Sequence, residues 1–384
     1  MEFISIFDDF IIAKFVRRIN RFVLECTFDK NRLFAYMPNP GRLQELLLKG
    51  VDIYLMYSKN KTSKYRYIAV AVRKDDVIVS LHTILNNKVA EILIVNNSIN
   101  ELVGAKILKR EVTVGNSRFD FLLEKEGKEI LLEVKSCTLF GKKIAMFPDA
   151  ITKRGARHLE ELYYLNKNTN YETYVLFIIN KYDIEYFLPD FHTDFEFANV
   201  FLKTFEGINI LAYSIYWNEK LQFCLNAKPV KIPLDYLKKA VIDKGVYLLL
   251  LHLEKDKNIK IGKLGYIKFS KGYYIYVGSA MNNLTARTNR HLRIRKKKFW
   301  HIDYFREHCK VEKIFHIRNS DNLESELSHE IQAISDWSIE GFGSSDCRND
   351  FSHLFGFVDN PVFKKDFQDI LLNFRINLLE NKLI

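Results

Sequence analysis

Hydrophobic and polar positions alternate most cleanly between Arg118 and Lys135. With Glu126 and Gly127 as a two-residue turn, Phe119 faces Val134, Phe121 faces Leu132 and Leu123 faces Ile130. One side of that hairpin is wholly apolar. The other side sets Asp120 opposite Glu133 and Arg118 opposite Lys135. Around it the pattern predicts helices over 85–97, 151–165 and 194–205 and strands over 107–114, 172–180 and 208–215. Strands and helices mix, which is an α/β or α+β arrangement.

Upstream, short runs rich in β-branched and aromatic residues at 21–27, 33–36, 51–57, 65–72 and 77–81 predict five strands and a small barrel. Within the run Met37-Pro38-Asn39-Pro40-Gly41-Arg42, Asn39 is expected to cap a short helix with Pro40 in its first turn. Downstream, two prolines and two lysines in 226–233 read as a linker. A second α/β module follows, with strands over 246–253, 272–278 and 311–317 and helices over 284–293, 299–307 and 322–336. The expected organisation is a barrel over 1–84, an α/β domain over 85–227, a linker over 228–242 and a C-terminal domain over 243–384.

Composition narrows the class. With 48% hydrophobic and 27% charged residues, a disordered chain is excluded. No apolar run approaches the roughly 18 residues of a membrane span; the best candidate, 246–253, already contains His252. Asp8 and Asp9 interrupt the apolar start, so no signal peptide is expected. Five scattered cysteines (Cys26, Cys137, Cys224, Cys309, Cys347) without a C-x-x-C fit a reducing cytoplasm.

The net charge of +11 is unevenly spread. Residues 1–84 carry 14 Lys/Arg against 9 Asp/Glu, 85–227 carry 17 against 19, and 228–384 carry 27 against 19. Two basic flanks around a slightly acidic middle suit a polyanionic partner, nucleic acid first.

Like charges directly opposite on a hairpin repel, so Asp120 facing Glu133 calls for a cation between them. Two such carboxylates are hard-oxygen ligands for Mg²⁺ or Mn²⁺. With Lys135 on the same face they supply the parts of metal-assisted phosphodiester hydrolysis. An ordinary solvated strand face is the competing reading of the same residues. Farther on, Phe147-Pro148-Asp149-Ala150 leads into a helix whose Thr152, Arg154, Arg157 and His158 offer donors to phosphate oxygens.

The segments Pro38-Asn39-Pro40-Gly41-Arg42, Ser117-Arg118-Phe119-Asp120-Phe121-Leu122, Leu132-Glu133-Val134-Lys135-Ser136-Cys137-Thr138-Leu139 and Phe147-Pro148-Asp149-Ala150, through to Arg154-Gly155 and His158, resemble the sugar fermentation stimulation protein family, SfsA, over roughly 10–225. The resemblance implies DNA binding, an N-terminal OB-like barrel and a domain similar to PD-(D/E)XK nucleases. By motif, Asp120, Glu133 and Lys135 would be the nuclease-type triad, with Asp120 and Glu133 on the metal. Arg17, Arg18, Arg21 and Arg42, with Arg66 and Arg73, would serve a DNA-binding barrel.

In the C-terminal module, Gly245-Val246-Tyr247, Tyr276-Val277-Gly278-Ser279-Ala280, Arg290-His291, Trp300-His301-Ile302-Asp303 and Gly341-Phe342-Gly343-Ser344-Ser345-Asp346-Cys347 resemble a branch of the GIY-YIG nuclease superfamily over about 243–358. That resemblance implies catalytic roles for Tyr247, Tyr276 and Arg287 and a metal on Glu324, with Glu326 as the fallback. The branch usually shows two nearby cysteines before Ser-His-Leu. Here Cys347 stands alone before Ser352-His353-Leu354, so Cys347, His353, His301 and Asp346 make an incomplete set and no structural zinc is expected. The run Arg287, Arg290, Arg293, Arg295, Lys296, Lys297 and Lys298 holds seven cations and no acid, which suits phosphate contact, with Phe299 and Trp300 beside it for stacking on bases.

Three function classes follow: a Mg²⁺- or Mn²⁺-dependent DNA phosphodiesterase, a non-catalytic DNA-binding regulator of carbohydrate metabolism on nuclease-like scaffolds, and an RNA-directed or scaffolding role.

Overall fold

The computed structural model describes residues 2–60, 62–294, 296–343 and 351–383. The chain divides into two units. One runs to Leu237 and takes back the chain from Glu380; the other spans Lys238–Leu379.

In the first unit, the strands Asn31–Tyr36, Val23–Phe28, Phe10–Asn20, Asp52–Tyr57 and Tyr67–Lys74 pair in that spatial order. Parallel pairing of Ala35 with Tyr67 and of Tyr36 with Ile68 closes them into a five-stranded barrel, and Val77–Ser80 adds to one side. The strand Phe10–Asn20 was not anticipated. Two register shifts against Val23–Phe28 break its period of two. The expected start of the first strand, Arg21, sits instead in the turn after it. No helix forms at Asn39, whose side-chain oxygen accepts from Gly41 N at 2.8 Å and closes a turn.

Six strands then form a mixed sheet in the order Lys228–Pro229, Asn209–Ser214, Glu172–Ile179, Lys128–Cys137, Ser117–Lys125 and Lys106–Val114. The three inner strands from Asn209 to Cys137 run parallel, and the outer pairings are antiparallel. Helix Thr83–Val95 packs on the face that carries Phe121, Leu132 and Leu176, in a core that also takes in Tyr54, Val70 and Ile78 from the barrel. Barrel and sheet therefore share one apolar interior. On the opposite face Phe177 meets Phe201 of helix Phe195–Thr204. Helix Lys153–Asn168 packs against that second helix and against Glu172–Ile179.

The expected hairpin forms with its expected register, from Lys125 opposite Lys128 to Phe121 opposite Leu132. Both turn residues have positive φ, 54° for Glu126 and 80° for Gly127, the geometry of a type I′ turn. Past Phe121 the described ladder ends. The pairs Phe119–Val134, Asp120–Glu133 and Arg118–Lys135 are not ladder partners, because the Asp120 carboxylate takes the Val134 N–H at 2.7 Å. The stretch expected as a linker begins as an edge strand: Lys228 and Pro229 pair with Ser214 and Tyr213. Proline is tolerated at such an edge.

The second unit is built on an antiparallel sheet in the order Lys310–Arg318, Gly245–Leu253, Gly272–Ala280, Leu354–Phe357 and Trp337–Ser338. Val246, Leu248 and Leu250 point into one core and Tyr247, Leu249 and Leu251 into another. Helices Leu284–Leu292, His301–Arg306, Glu324–Ala333 and Lys365–Leu372 accompany it. Among the described residues no helix is long and apolar enough to cross a membrane.

Candidate functional site

The splayed end of the hairpin opens into a cleft of about 790 Å³ in the first unit. Asp120, Glu133 and Lys135 line it, together with Asn39 and Gly41 of the barrel loop, Asn87 of helix Thr83–Val95, and Asp149, Thr152 and Arg154. Strand alternation places Glu133 and Lys135 on the same side, and the Lys135 ammonium pairs with Glu133 Oε1.

Glu133 is 4% exposed. The same Oε1 receives His158 Nδ1 at 2.7 Å. Arg154 Nε donates to His158 Nε2 at 3.2 Å, so the ring proton sits on Nδ1 and is given to Glu133. The other carboxylate oxygen, Glu133 Oε2, is buried with no hydrogen-bond partner. Burial pushes the Glu133 carboxyl up, but Lys135 and His158 outweigh it and hold it below its ordinary value. Asp120 Oδ1 accepts from Asn87 Nδ2 at 2.7 Å and Oδ2 from Val134 N at 2.7 Å. Burial, then the neighbouring Glu133 charge, push the Asp120 carboxyl up despite those bonds.

Asp149 ties the barrel loop to the sheet domain. Its Oδ2 accepts from Leu43 N at 3.2 Å. A Cβ on Gly41 would stand 2.5 Å from that oxygen, so only glycine lets the loop close on it. Burial pushes the Asp149 carboxyl up against the pull of the Leu43 and Arg42 N–H groups. Thr152 caps helix Lys153–Asn168 by accepting from Gly155 N at 3.0 Å, and its own N–H goes to Asp194 Oδ2 at 2.7 Å.

The expected nucleic-acid contacts divide. Arg21 and Arg154 line the cleft, and Arg42 and Arg157 are exposed. Arg18 is a brace: its guanidinium donates to Gly41 O at 2.8 Å and Arg42 O at 2.7 Å, and burial lowers its pKa. Arg17 pairs with Glu25 at 2.8 Å and Arg73 with Glu219 at 2.9 Å, while Arg66 lies over Tyr57. His158, 2% exposed, is turned to Glu133 and offers no donor to a phosphate. Asn87 was missed, as were Glu91 and Arg110, which form a two-bond pair at the cleft (3.0 and 2.7 Å). No motif spacing marks them; Asn87 and Glu91 come from helix Thr83–Val95 and Arg110 from the strand Lys106–Val114.

In the second unit, Tyr247 and Tyr276 are buried beside each other with ring centroids 6.3 Å apart. Tyr247 lies opposite Gly278, where a Cβ would meet its hydroxyl at 2.5 Å. Its hydroxyl shares a hydrogen bond at 2.8 Å with Nε2 of His291, a residue of the quoted Arg290-His291 motif to which no role was given. Burial pushes both phenols up and lowers His291 to about 3. Both tyrosines are therefore neutral, and Tyr247 acts as a hydrogen-bonding group. Glu324 accepts from Ser279 Oγ and lies 3.5 Å from His353 Nδ1. Glu326 is in the first turn of the same helix.

Arg287 stacks on Trp300 at 3.5 Å and Arg290 at 4.3 Å. Of the seven-cation run, Arg290 binds Asp303 through two 2.8 Å bonds and Lys296 binds it at 2.7 Å. Lys298 pairs with Glu307 at 2.8 Å. Arg293 and Lys297 are exposed. Much of that run thus serves the fold, because a buried carboxylate at Asp303 requires its neighbours. Arg295, Asp346 and Cys347 lie outside the described residues. His301 Nδ1 accepts from Gly343 N at 3.2 Å.

Comparison with known proteins agrees with this architecture. Residues 16–81 match the SfsA N-terminal OB domain, 84–221 the sugar fermentation stimulation protein RE domain, and 246–375 a domain of unknown function, DUF123, which is GIY-YIG-like. A sugar fermentation stimulation protein homolog of Methanothermobacter thermautotrophicus is 35% identical over 204 residues, 53% of this chain and 85% of the relative. One from Acetivibrio thermocellus is 39% identical over 207 residues, 53% of this chain and 88% of the relative. The solved structure of Pyrococcus furiosus SfsA in complex with Ca²⁺ superposes with a TM-score of 0.55 at 29% identity, covering 58% of this chain and 96% of that one. The barrel, the mixed sheet and the order of their motifs thus place the chain in the sugar fermentation stimulation protein (SfsA) family.

Proposed function

We propose that the first unit is a divalent-metal-dependent phosphodiesterase acting on nucleic acid, DNA first, with its chemistry at Asp120, Glu133 and Lys135. One observation carries the reading: Glu133 Oε2, buried in the cleft beside Asp120 and left without a partner. A buried acceptor without a partner costs about 1–3 kcal/mol, which a ligand there would offset. Among the described residues no group of three or more His, Cys, Asp or Glu side chains is set to hold a metal. The two-carboxylate donor set fits Mg²⁺ or Mn²⁺, because Mg²⁺ keeps several waters and takes one or two carboxylates. The Ca²⁺ complex of the Pyrococcus furiosus relative supports the choice of a hard cation.

Asp120 and Glu133 would hold the ion, which would supply Lewis-acid charge to the phosphoryl group. Asn87 and the Val134 N–H fix Asp120, and His158 fixes Glu133 with Oε2 left over. The Lys135 ammonium is placed to offset charge that develops on phosphate oxygens. Arg154 and Arg21 on the cleft lining are positioned for the backbone of the bound strand. A cytoplasmic setting suits the four described cysteines, all free and buried.

In the second unit, Glu324 with Tyr247, Tyr276 and Arg287 is read as a second metal-dependent site. The test is cleavage of labelled single-stranded, duplex and branched DNA in Mg²⁺ or Mn²⁺, with wild type beside Glu133→Ala and Glu324→Ala. Loss in Glu133→Ala alone assigns the chemistry to the cleft. Cleavage untouched by Glu133→Ala refutes the cleft reading. No cleavage by wild type with binding intact favours the non-catalytic DNA-binding regulator.

A further inference from the structure

We infer that Ile84 and Ile151 form an apolar wedge at the rim of the carboxylate cleft, and that the wedge enters between stacked bases beside the phosphate held below. The inference rests on the nuclease reading and deepens it by naming the substrate class: a duplex whose stacking is weakened at one step by a mispair.

Both side chains line the cleft and both are turned to water, Ile84 69% and Ile151 62% exposed. The other large apolar side chains on the lining are packed. Phe121 and Val134 belong to the core shared by barrel and sheet, and Phe147 meets Phe177 and Phe197. One exposed isoleucine is ordinary on a protein surface. Two of them, on a lining otherwise given largely to carboxylates, amides and cations, are not explained by packing.

Their backbones are held while their side chains are not. Ile84 is the second residue of helix Thr83–Val95. At the start of that helix Leu85 N donates to His82 Nδ1 at 3.3 Å, and Thr83 Oγ1 donates to Pro38 O at 2.5 Å. Ile84 heads a helical stripe with Asn87, Lys88 and Glu91, all on the cleft lining. Asn87 holds Asp120, so Ile84 stands one turn, about 5–6 Å, from a group that fixes the cleft floor. Ile151 lies between two anchored residues. Asp149 is bonded to the barrel loop just before it, and the Thr152 N–H is bonded to Asp194 just after it. A β-branched side chain on a fixed backbone has few rotamers, which suits a wedge.

Chemistry names the occupant. Asp120, Glu133, Lys135 and Arg154 suit a phosphodiester and its counter-ion, as proposed above. An aliphatic side chain beside them has nothing to offer a phosphate; its complement on the same strand is the face of a base. Isoleucine is among the side chains that insert between base steps and unstack them. That insertion costs least where a base is already mispaired.

The experiment is fluorescence-anisotropy binding of the full chain, in EDTA, to two hairpin DNA duplexes that differ in one central pair, matched or mismatched. A 2-aminopurine next to that pair reports unstacking as a rise in fluorescence. Wild type is run beside two double variants, Ile84→Ala with Ile151→Ala and Ile84→Leu with Ile151→Leu, each checked by thermal melting. Wild type is expected to bind the mismatched duplex about tenfold tighter and to brighten its 2-aminopurine. The alanine pair loses that preference to within about twofold and loses the brightening, while the leucine pair keeps both. Wild type that binds both duplexes alike, or neither, overturns the inference. So does an alanine pair of normal melting temperature that keeps the preference and the brightening. Because no metal is present, a chain that never cleaves can still show the wedge. A chain that cleaves through Glu133 and ignores the mismatch keeps the cleft reading and loses this one.

Discussion

His158 is where the geometry of the cleft can be tested without touching either of the carboxylates proposed to hold a metal. Its ring is 2% exposed, gives Nδ1–H to Glu133 Oε1 at 2.7 Å, and lies edge-on to Phe119 with centroids 6.1 Å apart. His158→Ala removes a hydrogen bond to a charged group, worth about 1.5–3 kcal/mol. The void left by the ring adds roughly 1–2 kcal/mol. Glu133 keeps Lys135 but loses one of the two donors that hold its Oε1. Partners of this kind typically cost about 10–100-fold in metal affinity when removed. The assay is a calorimetric Mn²⁺ titration of the full chain beside thermal denaturation, for wild type, His158→Ala, His158→Asn and His158→Phe. His158→Ala is expected to lose both affinity and stability. His158→Asn, whose amide keeps a donor near the Nδ1 position, should recover most of the affinity, and His158→Phe should recover packing but not affinity. Wild-type Mn²⁺ affinity in His158→Ala and His158→Phe refutes the argument that this ring sets the Glu133 carboxylate.

Gly41→Ala should push Asp149 off the Leu43 N–H and destabilise the first unit by about 1–3 kcal/mol, read as a lower denaturant midpoint. Gly278→Ala should drive the Tyr247 ring from His291 and destabilise the second unit by about 1–3 kcal/mol; an unchanged melting profile would count against that contact. For Asp303, burial alone would raise the carboxyl, but Arg290, Lys296 and the N–H groups of Phe299 and Trp300 hold it well below its ordinary value. With the folded pKa below the unfolded value of about 3.9, its stabilisation is full above that pH and is lost as pH falls through and below it. Asp303→Asn should therefore lower the stability of the second unit at neutral pH and flatten its acid limb, measured by denaturation from pH 7 to pH 3.

The elements that were legible in the sequence are those whose residues interact locally. The hairpin of Ser117–Lys125 and Lys128–Cys137 could be read because a two-residue turn with positive φ fixes register, and register fixes which side chains share a face. The register was extrapolated three pairs too far, through Asp120–Glu133 to Arg118–Lys135, because a side-chain carboxylate replaced the ladder partner of Val134. Strand Phe10–Asn20 escaped because its bulges break the alternation on which strand recognition rests. Charge runs misled for a different reason. A sequence shows that Arg18, Arg290 and Lys296 are basic but not that backbone carbonyls and one buried aspartate already occupy them. Asn87 and the His158 bond to Glu133 could not be read at all, since each depends on a helix meeting the sheet across a long separation in the chain.

The asymmetry of Glu133 also predicts how the site trades stability for function. One oxygen takes two donors, Lys135 and His158, while the other takes none and its charge bears on Asp120. A carboxylate retained only for packing would be expected to satisfy both oxygens, because the unsatisfied one costs about 1–3 kcal/mol. Glu133→Gln keeps the shape and an oxygen that can accept from Lys135 and His158. It replaces the second oxygen with a neutral amide group and relieves the push on Asp120. Against this stands the weaker bond to Lys135, a loss of about the same size. Without metal the two terms nearly cancel, so the melting temperature should stay within about 4 °C of wild type or rise. With Mn²⁺ in excess the wild type should gain stability by mass action and the variant should not. A variant that melts far below wild type without metal would show Glu133 to be a structural ion-pair partner. Equal stabilisation of both proteins by Mn²⁺ would move the ion away from this cleft.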